Sequence, residues 1–169
     1  MSYTFADHLH NYAVWTAAKA VQRGWKGAKT INIKTAIEST DLMNLASNQC
    51  NITTSEFDSF HRLTAHRIIN SFDSLGIKAS YGRAAKIIAI YIKTSVTLCD
   101  CGQSPISRLA HPPIDNILLT NLNSRFPRLG LKGLKWTQLT EEKYFYLISK
   151  LRSLNIDSFW KIEEFWHPE

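Results

Sequence analysis

From Gly82 to Leu98 the chain is an almost unbroken apolar stretch in which Ala84, Ala85, Ile87, Ile88, Ala89, Ile90, Tyr91, Ile92 and Val96 cover most of a helical surface. A helix that is apolar nearly all round has to sit at the centre of a fold. It falls short of the about 20 uninterrupted apolar residues that cross a bilayer. Its charged positions are Arg83, Lys86 and Lys93, spaced so that they share one stripe. That stripe must face water or a ligand, because burying a lone cation is costly.

The remaining segments supply partners for such a helix. Apolar residues at helical spacing predict helices over 7–23, with Asp7 as N-cap, over 32–46, opened by Asn32, and over 54–75. The third carries Phe57, Phe60, Leu63, Thr64, Ile68 and Phe72 on its inner face. Gly24, Gly27 and Gly76 are the breaks, and Ser47 to Asn51 is a polar loop. After the central helix come a polar connection over 99–110, a helix over 113–123, and an irregular basic stretch over 124–137. Thr140 caps a helix to about Leu154, and Ser158 is the predicted cap of a last short one. No strand pattern or repeat competes, so the fold expected is all-α: a compact helical domain, with residues 1–169 forming one unit.

With 44% apolar and 20% charged residues, the 169-residue chain has the composition of an ordinary globular protein. The start of the chain lacks the features of a signal peptide, so a cytoplasmic monomer away from membranes is expected. Cys50, Cys99 and Cys101 do not make a disulfide framework, and the Cys99-x-Cys101 pair has no second half for a zinc site. Neither a metal nor a cofactor is expected. The net charge is +6, gathered in three clusters: Lys19, Arg23, Lys26 and Lys29; Lys78, Arg83, Lys86 and Lys93; and Arg125, Arg128, Lys132 and Lys135. Such clusters suit a phosphate-tracking surface, although solvated lysines on helix faces have the same composition.

Asp115, in His111-Pro112-Pro113-Ile114-Asp115, falls at the start of a helix, where the helix dipole and free N–H groups favour an ionised carboxylate. It is either an ordinary cap or a charge able to stabilise a positive sugar or orient a water. Lys86, a turn into the central helix with Arg83 beside it, is either a snorkelling lysine or a desolvated amine suited to nucleophilic attack. Gly82 would let a nucleic-acid backbone approach the helix N-terminus, with Arg83, Lys78, Lys93 and His111 as further DNA-binding candidates. His8, Asn11 and Trp15 follow helical spacing, and could line a base pocket through an amide reading an edge and a stacking indole.

The order of these elements resembles the helix-hairpin-helix DNA glycosylases, in particular the compact branch related to 8-oxoguanine DNA glycosylase. In that family a glycine-containing hairpin docks on DNA phosphates, its second helix carries a catalytic lysine, and an apolar–Pro–apolar–Asp segment starts a later helix with the catalytic aspartate. Here the hairpin would be Gly76 to Gly82, the lysine Lys86 and the aspartate Asp115, within a resemblance covering residues 55–125. The usual Gly-x-Gly hairpin is replaced by Gly-Ile-Lys-Ala-Ser-Tyr-Gly, and no cysteine cluster for an iron–sulfur centre comes after it. The resemblance implies a DNA glycosylase that flips a damaged or modified base and cleaves its N-glycosidic bond, with possible lyase activity. A looser similarity is to antiphage glycosylases of modified bases. The alternative is a non-enzymatic helical module that binds nucleic acid through its basic clusters. A helical ribonuclease built on Arg62 and His66 has less support, because its Arg–His spacing is one residue short of that pattern.

Overall fold

The apolar stretch does become the centre of the molecule. A computed structural model describes residues 2–47 and 51–167, and all regular elements among them are helical. They are α1 (Phe5–Val21), α2 (Thr30–Glu38), α3 (Leu42–Ser47), α4 (Thr54–Asp73), α5 (Tyr81–Ile92), α6 (Pro105–Leu109), α7 (Asn116–Arg125) and α8 (Glu141–Arg152). In α5 only Arg83 and Ile90 are not fully buried. The helix packs against α1 and α4, touches α8, and is crossed by a 3₁₀ turn at Trp136–Gln138. Helices α1 and α5 run antiparallel, since Val21 lies beside Arg83 while His10 meets Tyr91. No helix among the described residues is long and apolar enough to cross a membrane.

Several boundaries differ from expectation for local reasons. The N-cap of α1 is Thr4, not Asp7. Asp7 is the third helical residue, and its carboxylate reaches back to the Thr4 N–H in a capping box. The same box, with Thr53 and Glu56, opens α4. The helix expected over 32–46 is broken in two. The Thr40 hydroxyl donates to Ile37 O (2.6 Å) and accepts from Leu42 N (3.3 Å), closing α2 and starting α3. In α4 it is His61, not Leu63, that points inward, and Leu63 is exposed. The predicted loop from Ser47 to Asn51 falls largely outside the described residues, as does Cys50.

The central helix also ends differently. After Ile92 the backbone widens into a π turn over Lys93–Thr97. Thr94 and Ser95 each donate a hydroxyl to the carbonyl four residues back, at 2.9 and 2.7 Å. Such bonds compete with the regular ladder, and a π turn shifts the register of the residues beyond it. Leu98, directly after the turn, is exposed. The polar connection contains α6, capped by Ser104. The expected helix over 113–123 starts later, at Asn116, with Pro112 and Pro113 buried ahead of it. Cys99 and Cys101 are free, exposed thiols.

Gly82 is the contact point between α5 and the Trp136–Gln138 turn. Its N–H donates to Leu139 O (3.1 Å), and a Cβ at this position would fall 1.9 Å from Trp136 O. Only glycine allows that approach. Gly82→Ala is expected to push the turn away from α5 and lower stability by about 1–3 kcal/mol, the usual range for overpacking. Urea unfolding checks the loss, and the fluorescence of Trp136 should shift with it.

Candidate active site

Lys86 lies inside the molecule, its side chain 8% exposed. Its Nζ is 3.3 Å from Asp115 Oδ2 and 4.4 Å from the centre of the Trp136 ring. Burial pushes the Lys86 amine below its usual range, while the charge and hydrogen bond of Asp115 act in the opposite direction. The indole face also favours the ammonium form. The amine is thus held between desolvation, which strips its proton, and two groups that retain it.

Asp115 is the N-cap of α7, in an extended backbone conformation. Its two oxygens have separate jobs. Oδ1 accepts from Leu118 N (2.9 Å), which fixes the carboxylate on the helix end. Oδ2 is turned toward Lys86 and also accepts from the indole N–H of Trp166 at 2.9 Å. Two turns along from Lys86, Lys93 pairs with Glu163 of the C-terminal 3₁₀ turn, Phe159–Phe165. Burial pushes the Glu163 carboxyl up, Lys93 pulls it down, and the negative charge of Asp115 adds to the rise. Two lysines and two carboxylates therefore form one coupled cluster with Trp136 and Trp166 against it.

The segment that carries Asp115 is anchored from the core. His111 is 3% exposed, with Nδ1 3.1 Å from Tyr144 OH and Nε2 3.1 Å from Asp58 Oδ1. A tautomer that donates from Nε2 to Asp58 and accepts at Nδ1 from Tyr144 satisfies both contacts. Arg152 holds Asp58 through two bonds of 2.7 Å. Burial alone would raise the Asp58 carboxyl, but the bonds from Arg152 and His111 hold it well below the usual range. His61 stacks on Tyr144 (5.2 Å between ring centres, 9° between planes), and its buried Nε2 has no hydrogen-bond partner among the described residues.

The sequence-predicted residues separate into two groups. Lys86 and Asp115 come together, and Lys93 reaches the same cluster through Glu163. The others do not bear on it as expected. Gly82 is buried with its N–H committed to Leu139, so no phosphate can use it. His111 is likewise internal, a positioning group for Asp115 with both ring nitrogens engaged by protein. Arg83 donates to Val21 O (3.1 Å) and lies over the Trp25 ring, clamping α1 to α5. Lys78 is exposed on the α4–α5 connection. His8, Asn11 and Trp15 are exposed on the outer face of α1. Their contacts among the described residues are with Tyr3, Tyr12, Lys19 and Lys34, not with Lys86 or Asp115. Arg62 and His66 both bind Glu141.

Trp136, Trp166 and Glu163 are site residues that sequence reasoning missed. Trp136 and Trp166 stand out only as tryptophans, and Glu163 as one acid among several in the last segment. Each is brought in from a distant part of the chain. Among the described residues no group of three or more His, Cys, Asp or Glu is arranged to hold a metal ion. Compared with known protein families, curated proteins and solved structures, the chain finds no match.

The buried titrating groups make stability depend on pH. Burial keeps His61 and His111 below the ordinary imidazole range, whereas unfolded imidazoles titrate near about 6.5. The unfolded chain therefore takes up protons first. The stability this gives is full above about pH 6.5 and declines as the pH falls toward the lowered folded values. The Asp58 contribution is present above about pH 4 and is lost on further acidification. Urea midpoints measured from about pH 7.5 down to about pH 5 should fall, with a shallower slope in His61→Phe. In addition, Asp115→Asn should lower the Lys86 pKa further, because it removes the charge that holds it up; lysine-selective NMR titration reads this directly.

Proposed function

We propose that the protein is a DNA glycosylase that acts on a flipped, damaged or modified base, with Lys86 as nucleophile and Asp115 as its proton acceptor. The observation that supports this most is the pair itself: a desolvated lysine amine 3.3 Å from a carboxylate that is fixed by its other oxygen. An N-glycosidic bond inside a stacked duplex is out of reach of such a pair, so the nucleotide has to be extruded.

The roles follow from proton placement. Asp115 Oδ2 takes a proton from the Lys86 ammonium, and the neutral amine attacks C1′ of the target nucleotide. The C1′–N bond breaks, its electron pair leaves with the base, and the proton held on Asp115 passes to that base. The new C1′–Nζ linkage then loses a proton as the C1′–O4′ bond opens and O4′ gains one, which leaves an imine between sugar and lysine. Once its proton has passed to the base, Asp115 is again a carboxylate and stabilises the positive charge left on the sugar–lysine adduct, as carboxylates do in glycoside cleavage. The depressed amine pKa raises the fraction of Lys86 able to attack near neutral pH.

Borohydride trapping on abasic and modified-base oligonucleotides tests the reading. A covalent adduct is expected with the natural protein and none with Lys86→Gln. Asp115→Asn should slow base release by about 10²–10⁴-fold with DNA binding retained. An undiminished adduct in Lys86→Gln overturns the nucleophile role. If a panel of modified bases yields no abasic product, the non-enzymatic nucleic-acid-binding alternative replaces the enzyme.

A further inference from the structure

The chain segment that follows Asp115 carries cations and no acids. Between Asp115 and Glu141 the chain has no Asp or Glu, but it has Arg125, Arg128, Lys132 and Lys135. All four side chains are exposed. Lys150 of α8 joins them, its Nζ donating to Leu129 O at 2.5 Å. On the neighbouring C-terminal turn Glu163 is paired with Lys93, which leaves Glu164 as the exposed acid there.

These cations are carried by a fixed loop. Leu129 and Leu131 are buried in the core, and Leu131 N donates to Asn123 Oδ1 of α7 at 3.1 Å. Gly130 and Gly133 turn the chain in left-handed conformations, with φ of 61° and 79°. Between this loop and α7 runs an open groove of about 480 Å³. Asn116, Thr120 and Asn123 line it from one face of α7, at helical spacing, and Lys132 and Gly133 line it from the loop. A second recess of about 390 Å³ continues on the far side of Asn116 and Thr120 toward His167. Asn116 is the residue directly after Asp115, so one end of the groove lies at the start of α7.

We infer that this groove, and not the α4–α5 hairpin, is the track along which the phosphodiester backbone of a DNA strand reaches Lys86 and Asp115. Neutral amides and a hydroxyl on one wall, Lys132 on the other, and Arg125, Arg128 and Lys135 exposed along the same acid-free segment are the chemistry that binds phosphates without repelling them. The hairpin lacks these features: the Gly82 N–H is spent on Leu139, and Lys78 is the one cation of residues 74–80. The inference builds on the glycosylase reading for the choice of DNA, but it concerns binding and is tested apart from chemistry.

The test is fluorescence anisotropy with a labelled unmodified oligonucleotide, single-stranded and duplex, across a salt series. Arg128→Glu/Lys132→Glu is compared with Lys26→Glu/Lys29→Glu, a charge-matched pair on the α1–α2 connection, and with Lys78→Glu. Unchanged urea midpoints establish that the variants fold. The groove pair should weaken duplex binding by about tenfold or more and reduce the slope of log K against log salt by about 2, with the other variants close to the natural protein. Equal losses in both pairs, a larger loss in Lys78→Glu, or no DNA binding by the natural protein at low salt overturns the inference. Polyglutamate bound with the same salt dependence, or RNA of the same sequence bound more tightly than DNA, overturns the choice of DNA. The two readings fail separately. Loss of binding in the groove pair, with no base released from any substrate by the natural protein, removes the glycosylase and leaves the groove. Undiminished excision by the groove pair at sub-saturating DNA removes the groove and leaves the glycosylase.

Discussion

An ammonium group cannot remain inside an apolar helix face without compensation, and Lys86 imposes that condition on everything around it. The apolar stretch of α5 makes the helix central, and centrality buries the lysine. Asp115, the Trp136 ring and the rim of the C-terminal turn then gather where the ammonium needs them. A buried ion pair of this kind gives little net stability, because desolvation consumes most of the Coulomb gain. Burial lowers the Lys86 pKa, and Asp115 acts against that shift.

The supporting structure meets the same demand for fixed positions. Asp115 is set by the Leu118 N–H on one side and by the His111 anchor four residues earlier on the other. Behind His111 stand Tyr144, Asp58 and Arg152, a polar core whose members answer one another's hydrogen bonds. Gly82 plays the matching part for Trp136, since the absence of a side chain brings the 3₁₀ turn down onto α5 beside Lys86. Three distant segments thus converge on one amine, each through a contact that tolerates little substitution.

Much of this is legible along the chain. The kind of elements, the central place of the 82–98 stretch and the places of Lys86 and Asp115 on their helices come from local periodicity and capping, which nearest neighbours in sequence decide. Pairing the two is what the family resemblance implies. Some departures are just as local. Asp7 resembles the cap because a capping box contains two cap-type residues, and only backbone conformation tells them apart. The division of α2 from α3 turns on a single threonine hydroxyl. Gly82 and His111 look open to DNA because nothing in sequence says that Trp136, Leu139, Tyr144 or Asp58 would close over them.

The sequence alone determined that the chain is helical, that α5 lies at the centre with a lysine in it, and that an aspartate stands at the start of a later helix, because periodicity and chain chemistry act over a few residues. Tertiary structure alone decided that the two meet at 3.3 Å, that Trp136, Trp166 and Glu163 join them, and that the open groove beside Asp115 lies along α7. Those contacts link residues dozens of positions apart. They depend on how helices pack against one another, and packing is a property of the assembled core that no single segment carries.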